Sequence, residues 1–255
     1  MVYNTLLYQV KDGVLTVTIN RPKTYNALST ETKLELADAF KAADNDQNVR
    51  AIVITGAGNK AFCSGQDLNE SQNVDEDTAR KWVDEFDQLY RVIRSIKKPI
   101  IASVNGFSTG SGLQLALLAD IRISSDEAKY GMTEIDVGLA CIIGTTMFWE
   151  IMGKSRTTDM ILTGKLISAE VAEKYGLVTR VVPSMNLKEE TDKLATELAQ
   201  KPPIALASNK EWFKSLSDEN FNSCMIFATE AHTRGYGAGE PQRMMEAFFE
   251  KRKTI

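Results

Sequence analysis

Hydrophobic and polar positions follow two rhythms along the chain, and the changes of rhythm mark the elements. Residues 3–10 and 14–20 read as a hairpin about Asp12-Gly13; in its second strand Thr16 and Thr18 alternate with Leu15, Val17 and Ile19. Asn20-Arg21-Pro22-Lys23 ends that strand. Ser29 then reads as the N-cap of a helix through Leu34, Leu36, Ala37, Phe40 and Ala43. Residues 51–55 predict a third strand, followed by a glycine loop, Gly56-Ala57-Gly58-Asn59, that continues through AFCSGQDLNE. A helix over 76–97 carries Trp82, Phe86, Leu89, Val92, Ile93 and Ile96 at helical spacing, which reads as a core face. Pro99 to Val104 fits a strand buried on both faces, Asn105-Gly106 a turn, and the residues from Leu113 to Leu118 a buried helix. Further on come a short strand at 121–124, a helix at 155–162, and a helix capped by Ser168 and ended by Gly176. The last strand is read at 177–182. Beyond residue 187 the pattern is helical, at 187–200, 204–216, 219–233 and 241–252. The sum is an α/β chain, with a core over residues 1–187 and a helical region over 188–255.

Composition removes several function classes. A chain of 255 residues that is 43% hydrophobic and 25% charged is ordinary for a globular protein with a sizeable core. Its net charge of −4 gives no basic footprint for nucleic acid. Cys63, Cys141 and Cys224 share no metal-type or disulfide-type spacing, so reduced thiols and a cytoplasmic location are expected. No apolar run approaches membrane length. With a single histidine, His232, any two-histidine mechanism is excluded; its polar neighbourhood suggests a surface residue.

The stretch KPIIASVNGFSTGSGLQLALLAD, residues 98–120, stands out chemically. Gly110-Ser111-Gly112 bends the backbone at the start of a helix, where free amide N–H groups and the positive dipole end meet. Such a turn can hold an oxyanion, or can simply pack helix on strand. A nucleotide reading fails on detail. GAGNKAF lacks the Gly-Lys-Ser/Thr ending of a P-loop, and the residues from Gly110 to Leu115 lack the third glycine of a dinucleotide fingerprint. Pairing the two glycine loops is more economical. Ser64 in Cys63-Ser64-Gly65 and Ser111 could each aim a backbone N–H into one cleft. Glu134, flanked by Met132 and Ile135, could be a desolvated base there, or an N-cap or ion-pair glutamate.

The chain resembles the crotonase, or enoyl-CoA hydratase/isomerase, superfamily over nearly its whole length. The matching segments are RPKTYNALS (21–29), AFCSGQDL (61–68), residues 98–120, YGMTEIDVGL (130–139), TGKLISAEVAEKYGLVTRVVP (163–183) and MEAFFEKRK (245–253). The resemblance implies a spiral of ββα units with a C-terminal helical trimerisation region. It further implies trimers or hexamers, an acyl-CoA thioester as substrate, and no cofactor or metal beyond the coenzyme A that the substrate carries. It places the oxyanion-hole amides at Ser64 and Ser111. Coenzyme A would lie against Lys23, Thr24, Tyr25, Ala27, Ala61, Asp67 and Leu68, with Phe248 and Lys251 added by a neighbouring chain.

Departures from the family pattern narrow the chemistry. A hydratase of this family uses two glutamates. Here the second matches Glu134, but the first falls on Gln114, which can hold a water yet cannot take its proton. A third acidic position used by some members falls on Ile142. One glutamate without a partner is the arrangement of Δ3,Δ2-enoyl-CoA isomerases. Residues 57–150, with Gln114, its spacing to Glu134 and the Trp82…Leu89-Tyr90 segment, also resemble carboxymethylproline synthase. That relative decarboxylates malonyl-CoA and adds the enolate to an acceptor. Isomerisation is therefore expected first, decarboxylative C–C bond formation second and hydration third. An acyl-CoA-binding subunit without catalysis is the alternative of another class.

Overall fold

A computed structural model describes residues 2–253. In chain order, Leu6–Lys11 (β1) and Val14–Ile19 (β2) form a hairpin, and Thr30–Asn45 (α1) follows. Asp12 and Gly13 turn that hairpin with both φ angles positive, at 51° and 80°. Next come Ala51–Gly56 (β3), Ala61–Cys63 (β4), Leu68–Ser71 (α2) and Glu76–Ser95 (α3). Ile100–Val104 (β5), Phe107–Thr109 (β6) and Ser111–Leu118 (α4) form the central unit. Ile121–Ser125 (β7), Lys129–Gly131 (β8) and Ile142–Thr163 (α5) repeat the pattern. The chain ends with Ile167–Ser168 (β9), Ala169–Lys174 (α6), Arg180–Val182 (β10), Leu187–Ala199 (α7), Pro203–Gly237 (α8) and Glu240–Lys253 (α9).

The strands fall into two sheets. The larger has the order β1-β2-β3-β5-β7-β10, parallel from β2 onward; the smaller has the order β4-β6-β8-β9. The chain alternates between them, β3 to β4, β5 to β6, β7 to β8, and inserts a helix after each pair. That alternation is the ββα spiral. Every residue of β5 is buried, which explains its unbroken apolar run. One face of the large sheet joins the main core. The other carries a small second core, in which Val53, Ile101 and Ile123 meet Leu187 and Ala195 of α7. α7 therefore lies directly on the sheet, where Ser103 and Thr191 share a 3.0 Å hydrogen bond.

α3 sets one wall of the site. Asp75 and Thr78 close a reciprocal capping box at its start, and Trp82, Phe86, Leu89 and Tyr90 are buried along one face. Burying a side chain of this size contributes about 2–3 kcal/mol. Lys33 of α1 is enclosed and pairs with Glu85 at 2.6 Å, with its ammonium 4.3 Å from the centre of the Phe86 ring. The pairing fixes α3 against α1.

Three expectations change. The helices expected at 204–216 and 219–233 are one 35-residue helix, α8. α5 begins at Ile142, before the expected 155, and is interrupted at Gly153 (φ 73°). His232 is buried on α8 rather than placed on the surface. None of the described helices is long and apolar enough to cross a membrane.

Candidate active site

The two glycine loops meet as backbone against backbone. A Cβ built on Gly112 would stand 2.1 Å from the Cys63 carbonyl oxygen, and one on Gly65 would stand 2.9 Å from that of Thr109 and 3.4 Å from the Ser111 nitrogen. Gly65 has φ +100° and Gly110 φ +53°, conformations that favour glycine. Thr109 also donates its hydroxyl to the Ser64 carbonyl at 3.0 Å. Gly112→Ala should therefore cost about 3 kcal/mol of stability, because the obstructing atom is main chain and cannot swing away. Urea unfolding measures it; a midpoint matching that of the unchanged protein would show that the loops tolerate separation.

Ser111 lies at the first turn of α4, and its N–H has no acceptor among the described residues. It lines the cavity described below. Ser64 does not fill the second position: its N–H donates to the Tyr25 carbonyl at 3.0 Å. The structure offers Gln66 instead. Leu28 donates to the Gly65 carbonyl at 2.8 Å and accepts from the Asp67 N–H at 3.1 Å. These two bonds flank Gln66 in a parallel bridge, so its own N–H faces the opposite side. Gln66 lines the same cavity as Ser111, and its N–H also lacks an acceptor among the described residues. The glycine before it was the available signal, since the amide that follows a tight glycine emerges at the point of contact.

Glu134 opens a short 3-10 turn, Glu134–Val137, that Gly138 closes at φ 72°. The Gly110 N–H donates to the Gly131 carbonyl at 2.9 Å, which ties the glycine turn to the strand leading into Glu134. The Glu134 carboxyl is enclosed, and burial pushes its pKa up from 4.5 to about 7; its own backbone amide, the Cys141 thiol and the Gln114 amide act the other way. Gln114 Nε2 donates to Glu134 Oε1 at 3.1 Å. The Tyr90 hydroxyl donates to Gln114 Oε1 at 2.9 Å. Glu134 Oε2 is buried without a hydrogen-bond partner.

Glu134, Gln114, Ser111 and Gln66 share a cavity of about 40 Å³ that is also lined by Trp82, Val83, Phe86, Leu139, Ala140, Ile142 and Ile143. His232 completes the lining. Its ring lies 5.1 Å from that of Trp82 at 73°, and burial lowers its pKa from 6.5 to about 4, so it is neutral at pH 7. The polar sequence around His232 hid this placement, because only one face of α8 turns inward.

The residues expected at coenzyme A lie on two adjoining loops. Lys23 and Tyr25 are exposed, Thr24 and Leu68 are half-buried, and Ala27 and Ala61 are buried. Tyr25 and Asn26 both have positive φ, at 53° and 57°. Asn26 holds that shape by donating to the carbonyls of Ala57 at 3.0 Å and Ala61 at 2.8 Å. Asp67 is buried, caps α2 and pairs with Arg21 at 2.8 Å, so its carboxylate braces the loops. Phe248 is half-buried against the main core of its own chain, and Lys251 is exposed.

Known proteins share this architecture. The chain is 32% identical to a crotonyl-CoA hydratase of Syntrophomonas wolfei over 255 residues, covering 100% of this chain and 98% of that one. It is 31% identical to a short-chain-enoyl-CoA hydratase of Clostridium acetobutylicum over 254 residues, covering 99% and 97%. A crystal structure of an enoyl-CoA hydratase/isomerase from Xanthobacter autotrophicus superposes with a TM-score of 0.89 at 30% identity, covering 99% and 94%. The family model described as enoyl-CoA hydratase/isomerase matches residues 9–255, and this chain belongs to that family.

Proposed function

We propose that this enzyme moves the double bond of an acyl-CoA thioester from Δ3 to Δ2, with Glu134 as its one carboxylate base. The observation that carries the reading is Glu134 Oε2, a buried carboxylate oxygen without a partner in a cavity with no second carboxylate in its lining. The thioester oxygen would accept from the Gln66 and Ser111 N–H groups. Each such donor contributes roughly 3–4 kcal/mol to the developing enolate. Oε2 takes the C2 proton, the C3–C4 double bond shifts to C2–C3, and the same carboxyl returns the proton to C4. A base with a pKa near the working pH suits both transfers.

Two of the similar proteins named above are called hydratases, and the third a hydratase/isomerase. Hydration ranks lower here because Gln114 cannot accept a proton from water, and both ends of its amide are already hydrogen-bonded. A second reading, decarboxylation of a malonyl-type thioester with C–C bond formation, is favoured by His232. An aliphatic acyl chain makes no use of a polar side chain in that lining, whereas a polar acceptor does.

The test is a mass-spectrometric screen of the purified protein against 3-enoyl-, 2-enoyl- and malonyl-CoA. Conversion of the 3-enoyl thioester to its 2-isomer is expected. Loss of carbon dioxide from malonyl-CoA alone would favour the second reading, and binding without turnover across the panel would make the chain a silent subunit.

Coenzyme A would lie over the Lys23–Tyr25 and Ala61–Leu68 loops, with Lys251 of a neighbouring chain at its phosphates. Phe248, seated in its own core, fits that neighbouring role less well. The chain should be a trimer or hexamer, since Ile204, Trp212, Phe213 and Leu216 expose apolar surface along α8. A stable, fully active monomer in light scattering would count against that assembly.

A further inference from the structure

We propose that Tyr90 is a positioning residue for the base: its hydroxyl fixes the Gln114 amide so that Nε2 faces Glu134. A glutamine amide presents a donor at one end and an acceptor at the other, and a half-turn exchanges them. The carboxylate form of Glu134 needs the donor end; the neutral acid can instead donate to the oxygen end. Tyr90 decides between the two. Its ring is fully buried and edge-on to Phe86 at 5.7 Å. Its hydroxyl bonds to Gln114 and to no other group among the described residues. Turning the amide would therefore leave the phenol proton without an acceptor, in a place closed to water. The hydroxyl stays protonated, because burial holds its pKa well above 10. Oε1 of Glu134 is thus held by the amide, and Oε2 is left as the oxygen that exchanges the proton.

Few other groups can titrate into this arrangement near pH 7. The Cys141 thiol lies beside the carboxyl and the Cys63 thiol near the phenol, and burial raises both. His232, across the cavity on α8, is neutral. Asp136, on the same turn, is exposed with its carboxyl beside Gly164, and Glu240 of α9 meets the turn through its main chain at Gly138.

The inference rests on Glu134 as the base, and the experiment separates the two. In Tyr90→Phe the amide loses its lock, can turn, and can accept from the neutral acid. The acid limb of kcat/KM should rise by about one pH unit, the scale of one hydrogen bond to a charged group. At pH 6 kcat should fall about tenfold and recover above pH 8, with KM unchanged. Gln114→Leu should move the limb in the same direction, and adding Tyr90→Phe to it should move the limb no further. Infrared difference spectra against Glu134→Gln follow the carboxyl directly and do not depend on turnover. A limb and carboxyl titration unmoved in Tyr90→Phe would overturn the proposal. So would an equal movement in the Gln114→Leu background, which would mean that Tyr90 acts by another route. Full activity in Glu134→Gln would remove the base instead, while the infrared titration still reports on Tyr90.

Discussion

Glu134→Gln should lower turnover by about 10²–10⁴-fold, the usual share of general acid–base catalysis, and leave coenzyme A affinity nearly unchanged. The substitution keeps the shape. Its carbonyl oxygen can still accept from Gln114 Nε2, while the lone pair of Oε2 is replaced by an amide that cannot take a proton. Isotope exchange at C2 of a saturated acyl-CoA reads the same step without needing the right double bond. A loss below tenfold on the true substrate would remove Glu134 from the mechanism.

The same variant should be more stable than the unchanged protein at pH 8. Glu134 titrates near 7 when folded and near 4.5 when unfolded. Between those values the folded state holds a proton that the unfolded state has lost, so this group's contribution falls as pH rises through that window. Removing the charge should recover up to about 3 kcal/mol at pH 8 and nearly nothing at pH 4.5. His232 runs the other way. Its folded pKa lies near 4 against 6.5, so its contribution is present above 6.5 and is lost as pH falls toward 4. Over the shared range the two slopes oppose each other in the unchanged protein. Glu134→Gln should expose the histidine's slope in urea unfolding across pH 4.5–6.5. A flat profile in the variant would mean that His232 is not buried neutral.

Much of this was legible in the sequence because long elements carry a strong pattern. The alternation in Val14–Ile19 and the apolar run at Ile100–Val104 fixed two strands of the large sheet. The small sheet went unread. Its strands are two or three residues long, too short for either rhythm to show. The break expected in α8 falls at Ser217 and Asp218, residue types common at helix caps. In the fold Asp218 instead pairs with Arg94 at 2.7 Å, Ser217 accepts from Arg94 at 3.1 Å, and the helix runs through. At the site, Ser111, Gln114 and Glu134 were readable from spacing and resemblance. Ser64 stood in the place of Gln66, because which amide faces the cavity depends on the Leu28 bridge, a pairing across 38 positions of sequence. Tyr90 stood in the sequence only as part of the Trp82…Leu89-Tyr90 segment, since nothing in a helical pattern says which residue carries a hydrogen bond.

Gln114→Glu should raise the hydration of a short 2-enoyl-CoA above that of the unchanged enzyme. The new carboxyl would stand where the amide now meets Glu134 Oε1 at 3.1 Å. Two carboxylates at that distance cannot both stay charged, so one keeps a proton and its pKa rises. An acid and a base then flank the same cavity, which is what adding water across a double bond requires. Tyr90 favours the outcome, because its hydroxyl already donates to the outer oxygen of residue 114 and would do the same for a carboxylate. The penalty is stability. A second ionisable group in a buried site costs a few kcal/mol unless it is neutral or paired, so the loss should be smallest where one proton is shared. Loss of enoyl-thioester absorbance, followed for both proteins after their folding is checked, measures the effect. If the folded variant binds crotonyl-CoA yet hydrates it no faster, the cavity admits no water. The preference for isomerisation would then rest on the dryness of the site and not on Gln114.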